Sequence, residues 1–446
     1  MCSSKSIHGT QYFRHNLITM GSRLFSSVLN VKTVCITLAV VFISLRAVAG
    51  ASTSRSKKKL EVEGKINWLK RHAIKSIQSE DGDIIDCIDI YKQPTFRHPA
   101  LRNHTIQMAP SDNPSIMTTG MPEAFTKSDM GSSMFGTSQL WQKRGSCPKG
   151  TIPVRRIQKN DMAKVSWQVD YGRKKAQKSH QGTEMDENKI QNLLQSNHSM
   201  AILITEGYSY TGAKGDIKVF NPHVEYDDEW TTSQIALKSA VLQDYECVES
   251  GWAVNPGLYG DRKTRFFVYW TADSGKKTGC FDLTCPGFVQ TSSEIALGAA
   301  IHPISTTDGL PYQITLYLFK DPNTGNWWVQ YDEKTNVGYF PPELFAYLPQ
   351  TAQTVQWGGE VYSSRIGGFS PHTSTQMGSG QFPILEESSG YVKRIRVRDN
   401  SMILKFPEQI DHYTDEFRCY DVRYLGDYIE DPEFYFGGPG RNELCP

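Results

Sequence analysis

Residues 312–332 read YQITLYLFKDPNTGNWWVQYD. Ile314, Leu316 and Leu318 recur at every second position, and a second β-rich run starts at Trp327. Between them KDPNTG supplies the Asp, Pro, Asn and Gly that a tight connection needs, so the stretch predicts a β-hairpin. Runs of the same texture lie on both sides: AILIT at 201–205, GDIKVFNP at 215–222, SQIALKS at 233–239 and RFFVYWTAD at 265–273. Gly, Asn, Asp and Pro separate them. After residue 240 only PPELFAYLPQ (341–350) hints at a helix. Several strands at this spacing over about 250 residues predict an all-β fold, an antiparallel β-sandwich. There is no internal repeat.

The whole chain has 446 residues and 50.3 kDa, more than one domain's worth. Its 36 Gly, 22 Pro, 9 Trp, 21 Tyr and 20 Phe suit strands and turns. With 48 Lys+Arg against 47 Asp+Glu the net charge is +1, which argues against a nucleic-acid partner and gives no field to steer a polyanion. Residues 33–45 (TVCITLAVVFISL) follow Lys32 and precede Ala47-Val48-Ala49. This run is shorter than the roughly 20 apolar residues of a membrane span, so it reads as a signal peptide with a small-residue cleavage site. Met20 is an alternative start, and a type II membrane anchor is the rival reading. The chain divides into 1–49, a signal with an N-terminal extension; 50–190, a smaller α+β region with a linker; and 191–446, the sandwich. In the middle part Val62, Ile66, Leu69, Ala73 and Ile77 make one helical stripe. Pro94, Pro99 and Pro110 stop regular structure. Residues 109–137 read as a linker, and the charged, Gln-rich 170–196 as an exposed, cleavable junction.

A secretory route fits the nine cysteines. Cys280 and Cys285 lie across a strand turn, Cys419 and Cys445 close the C-terminal segment, and Cys87 and Cys147 form a pair ahead of the sandwich. With Cys2 and Cys35 set aside in the signal and its extension, Cys247 is left over. No CxxC or paired Cys/His spacing favours a metal, so disulfides of an oxidising compartment are the better reading. Asn103-His104-Thr105 and Asn197-His198-Ser199 are glycosylation acceptors.

The sequence lacks HExxH, a phosphate-binding GxxxxGK[ST], a GxSxG elbow and a GxGxxG after a strand. Cys247 has no recognisable nucleophile context for a thiol protease. What remains is carboxylates. Glu249 sits in YECVESGWAVNPGLYGD and Glu360 in VQWGGEVYSS, each among Gly and aromatic residues. A Glu in such a setting is ordinarily a solvated strand residue. Two brought together on a concave sheet cannot both ionise cheaply; they would share a proton and polarise a water. That is acid hydrolase chemistry on a peptide, or on a sugar bond if they straddle one.

These runs also resemble a family. ECVESGW, NPGLYGDRKTRFFVYWT, TGCFDLTCPGFVQ, GNWWVQY, VGYFPPELF, VQWGGEV and STQMGSGQF, in that order, are similar to the neprosin family of plant proteins. DCIDIYKQPTFRHPALRNHTIQMAPS and SCPKGTIPVRR resemble its activation-peptide region, and together the match spans residues 58–446. The resemblance implies a secreted glutamic peptidase, made as a zymogen, matured in acid and cutting after proline, with a Glu pair on a concave sheet. By that resemblance the catalytic residues are Glu249, before Gly251-Trp252, and Glu360, ending Trp357-Gly358-Gly359-Glu360. It also implies the pairs Cys280–Cys285 and Cys419–Cys445, and no cofactor or metal. Cys247 departs from the polar residue expected there. Trp252, Tyr259 and Trp357 are candidates for an apolar wall against a proline ring. Arg97, Arg102, Arg155 and Arg156 are candidates to bind acidic cleft groups from the propeptide. The expected partners are a protein or peptide substrate and the chain's own propeptide, with no nucleic acid, no stable membrane association and a monomeric state. A secreted sandwich that binds cell-wall polysaccharide or peptide without cutting it is the alternative.

Overall fold

The computed structural model describes residues 64, 68, 70–111, 136–157, 171–174, 197–239, 244–367, 370–384, 387–426 and 431–446. The expected signal segment and Met20 lie outside these residues, as does most of the 109–137 linker. Among the described residues, no helix is long and apolar enough to cross a membrane.

Three strands come before the sandwich: β1 (Ala73–Gln78), β2 (Ile84–Asp89) and β3 (Thr151–Arg155), an antiparallel sheet in the order β1-β2-β3. The expected helix over 62–77 is therefore wrong in its second half. Ala73 and Ile77 belong to β1, where pairing with β2 overrides the helical spacing. Val62, Ile66 and Leu69 lie outside the described residues. The Cys87–Cys147 disulfide ties β2 to the segment that leads into β3.

The remaining strands are β4 (His198–Lys218), β5 (Trp230–Lys238), β6 (Cys247–Val254), β7 (Arg265–Thr271), β8 (Cys280–Phe281), β9 (Val289–Gln290), β10 (Gln313–Lys320), β11 (Trp327–Tyr331), β12 (Thr335–Phe340), β13 (Ala352–Tyr362), β14 (Gly390–Asp399), β15 (Leu404–Lys405), β16 (Ile410–Thr414), β17 (Asp421–Leu425) and β18 (Glu433–Gly437). The expected hairpin is β10–β11, with Lys320 opposite Trp327. PPELFAYLPQ holds only a 3-10 turn, Pro342–Leu344.

The 21-residue β4 organises the sandwich. Its first half pairs with β13 and β16, and its second half with β10 and β14. The sheet β8-β7-β6-β5-β13-β4 thus continues into β10-β11-β12-β9 and folds back on itself. Period-two alternation sends one face inward: Ile235, Leu237, Val248, Trp252, Val268 and Trp357 join one core. The indole of Trp252 donates to the Lys218 carbonyl and that of Trp357 to the Lys214 carbonyl, so both reach across to the second half of β4.

The small sheet docks on the sandwich. Ile77, Ile85, Cys87 and Trp141 pack with Ala296 and Ala299. At this junction Asp83 is buried against two guanidiniums, Arg155 at 2.9 Å and Arg265 at 2.7 Å. Burial disfavours its charge, but the two arginines outweigh that and hold the Asp83 carboxyl well below the usual range. Its stabilising effect is therefore full above the ordinary carboxyl value of 3.8 and fades as pH falls below it. Asp83→Asn, which leaves two buried cations short of a partner, is expected to cost about 3 kcal/mol at neutral pH. Thermal melting should show the gap to wild type narrowing below pH ~4.

Candidate active site

Glu249 comes from β6 and Glu360 from β13, the two neighbours of β5. Glu249 pairs with Ala236 and Glu360 with Thr232, so both point to the face opposite the core. Their strands are two spacings apart, roughly 10 Å. The two glutamates are also offset by four residues along β5, with Gln234 on the row between them. At Gly251 a Cβ would lie 1.9 Å from the Ser233 carbonyl oxygen, so the tight β5–β6 approach excludes any other residue.

The two carboxylates meet on one nitrogen. Lys174 Nζ lies 2.5 Å from Glu249 Oε2 and 2.7 Å from Glu360 Oε2. All three side chains are buried. The ammonium also sits over the rings of Trp230 (5.3 Å) and Tyr269 (5.1 Å). His198 Nδ1 is 2.7 Å from Glu360 Oε1, and Gln234 Nε2 is 3.4 Å from Glu360 Oε2. On the other flank the Cys247 thiol donates to Glu249 Oε1 at 3.3 Å. Glu246, the other carboxylate of ECVESGW, is spent on structure: it accepts the backbone N–H groups of Ala346, Tyr347 and Leu348.

Burial opposes ionisation of Glu360, yet Lys174 and then His198 outweigh it and hold the carboxyl well below its ordinary 4.5. Burial likewise works against the Lys174 charge, and Glu249 and Glu360 overcome it and push its pKa up. Cys247 is pushed up by burial and by the Glu249 charge, so its thiol is protonated and a poor nucleophile.

Lys174 lies in the stretch read from sequence as an exposed junction. Residues 171–174 are instead tucked against the sandwich. The Phe281 N–H donates to the Gly172 carbonyl at 2.7 Å, and the Tyr171 hydroxyl reaches the Leu258 carbonyl. Gly172 has φ +85°, and a Cβ there would meet Thr284 Oγ1 at 2.2 Å. Gly172→Ala should weaken this anchor by about 1–2 kcal/mol from backbone strain alone. Limited proteolysis at neutral pH should then cut the segment faster.

Other expected site residues go elsewhere. Trp252 and Trp357 face the core because they differ in parity from Glu249 and Glu360 on their strands. Tyr259 bonds Asp282 and packs with Leu258 and Phe267. The aromatic walls of the site are Trp230 and Tyr269. The four arginines do not reach the carboxylate pair. Arg97 stacks on Trp68, Arg155 binds Asp83, Arg156 binds Asp86 and Arg102 is exposed. Lys174, His198 and Trp230 escaped sequence reasoning, since nothing in YGRKKAQK marks one lysine among its neighbours.

The three disulfides are Cys87–Cys147, Cys280–Cys285 and Cys419–Cys445, with Cys247 buried and free. Asn103 is exposed, and Asn197 is half-buried beside His198. Among the described residues the one His/Cys/carboxyl trio whose ligand atoms all lie within 4.8 Å of one another is His372, Cys419 and Cys445, whose two sulfurs are bonded to each other.

Residues 227–439 match the neprosin family model and residues 76–203 the neprosin activation peptide model. Among solved structures, scytalido-glutamic peptidase with a transition state analog inhibitor aligns at 9% identity and TM-score 0.30, over 53% of this chain and 97% of that one. SCP-B, a member of the eqolisin family of peptidases in complex with the tripeptide Ala-Ile-His, aligns at 8% identity and TM-score 0.26, over 54% and 96%. The β-porphyranase BpGH16B from Bacteroides plebeius aligns at 8% identity and TM-score 0.20, over 54% and 76%.

Proposed function

Because the chain belongs to the neprosin family and carries both its catalytic and its activation-peptide parts, we propose that it is a secreted zymogen of an acid endopeptidase whose working pair is Glu249 and Glu360. The observation that carries this reading is the Lys174 ammonium bonded to both glutamates. A lysine supplied from within the activation-peptide match ties up the two groups that the chemistry needs and fills the space where a water would sit.

With the lysine gone, the two carboxyls face each other without a shared cation, and one proton between them becomes the stable state. The ionised member takes a proton from a water lodged between them. The resulting hydroxide adds to the scissile carbonyl carbon while the protonated member donates to the carbonyl oxygen. Collapse of the tetrahedral intermediate breaks the C–N bond as the amine takes a proton from the pair. Side chains and water supply every proton in this sequence. The faces of Trp230 and Tyr269, now covered by Lys174, offer flat apolar walls to a proline ring.

Release follows from linkage. The Glu360 carboxyl is depressed in the closed form, so its contribution to closure is present above the ordinary 4.5 and lost as pH falls. Lys174 is raised, which favours closure throughout the acid range and falls away only in strong alkali. Asp321 adds a second carboxylate of the same sense. It accepts from Ser111 and Gln107, and these bonds outweigh its burial and hold it at about 2. Acid is thus the direction that frees the N-terminal part, with the boundary between residues 174 and 198.

The test is to hold the purified chain at pH 7 and at about pH 3 and follow its length on a gel, then to add a proline-containing peptide and read cleavage by mass. Shortening in acid with a cut after proline is the expected result. Intact chain and intact peptide at both pH values would leave a binding module as the better reading.

A further inference from the structure

We propose that His198 is a positioning residue for the peptidase reaction proposed above: it keeps Glu360 as the carboxylate of the pair and so makes Glu249 the proton donor. The inference rests on that reading and deepens it.

The two glutamates look equivalent only while Lys174 is in place. The lysine touches Oε2 of each. Their second oxygens differ. Glu360 Oε1 has the imidazole Nδ1 at 2.7 Å, whereas Glu249 Oε1 has the neutral Cys247 thiol at 3.3 Å. When the lysine leaves, Glu360 keeps an imidazole nitrogen at hydrogen-bond distance, and Glu249 keeps the weak thiol donor.

His198 falls inside the 76–203 match, yet it is built into the sandwich and so stays behind when the N-terminal part goes. It is the first residue of β4 and pairs with Tyr362, in a strand bonded along its length to β13. Its ring lies edge-on to Trp230 (5.5 Å) and Tyr362 (5.0 Å), which are stacked on each other at 5.7 Å. That clamp directs Nδ1 at the carboxylate.

Several charged and titratable groups surround it. Glu360 and Lys174 face it from the site side, and Tyr362 from β13. From the far side, Asp415 accepts the Met200 N–H at 2.8 Å. Burial raises the Asp415 carboxyl, which favours its neutral form. Glu416 is engaged by His372. Lys238 lies over the Tyr245 ring on the Glu249 flank. A base that works where an ordinary carboxyl is protonated needs a lasting strong donor at its side, and of the two glutamates it is Glu360 that His198 bonds.

Two measurements on the acid-matured protein test this. The first is the pH profile of kcat/KM on a proline-containing peptide for wild type, His198→Gln and His198→Ala. In both variants the acid limb should move up by about one pH unit or more and kcat should fall about tenfold or more, with KM within about twofold of wild type and Gln the milder change. An unshifted acid limb overturns the proposal. The second needs no variant. In acid, an aryl glycidyl ether is opened by attack of an ionised carboxylate oxygen: the C–O ester bond forms, the ring C–O bond breaks, and the alkoxide takes a proton from water. Peptide mapping should find the adduct on Glu360. An adduct on Glu249, or equally on both, overturns the proposal even if the variants do not fold. Absence of peptide cleavage by wild type would instead sink the peptidase reading, while the label would still report which carboxyl is ionised.

Discussion

Glu249→Gln and Glu360→Gln are each expected to lower peptide cleavage by at least ~10³-fold. Gln keeps the volume and one acceptor of Glu but cannot take up or release a proton. Because the pair acts as a unit on one water, the double variant should be no slower than either single one. The same substitutions should loosen the closed form, since each removes one of two negative charges held on Lys174. The check is steady-state cleavage of a proline-containing peptide at acid pH, beside thermal melting to show that the sandwich is intact. Full activity in either variant would remove that glutamate from the chemistry.

Lys174→Met should give a protein that does not stay latent. Removing the cation leaves Glu249 and Glu360 buried and facing each other with no neutralising partner, a change of the kind that costs about 3–5 kcal/mol. The pair relieves this by holding a proton, so part of the acid requirement for opening is met already near neutrality. The pH midpoint of chain shortening should rise by about two units or more, at 1.36 kcal/mol per unit for each proton linked. Lys174→Arg should not restore latency, because a planar fork cannot replace a compact ammonium between two carboxylates and two rings. A midpoint equal to that of wild type would show that closure does not depend on this contact.

Period-two patterning and turn chemistry alone establish an antiparallel all-β domain after residue 197 and the β10–β11 hairpin, because each depends on neighbours in the chain. Cysteine positions likewise led to the Cys87–Cys147 pairing, and the family motifs singled out Glu249 and Glu360. The same local rules misread β1 as a helix. Its apolar spacing fits either period, and pairing with β2 decides the matter. They also chose Trp252 and Trp357 over Trp230. A tryptophan near a glutamate in sequence looks like a neighbour, but an odd step along a strand puts it on the other face.

Tertiary structure alone decided that Lys174, rather than an arginine, bridges Glu249 and Glu360, that of these two glutamates it is Glu360 that His198 bonds, and that Asp83 is held between Arg155 and Arg265. Each of these contacts joins residues far apart in the chain. Which polar groups share a desolvated pocket is set by how β4, β5, β6 and β13 stack side by side, and no spacing along the chain encodes a meeting across three strands.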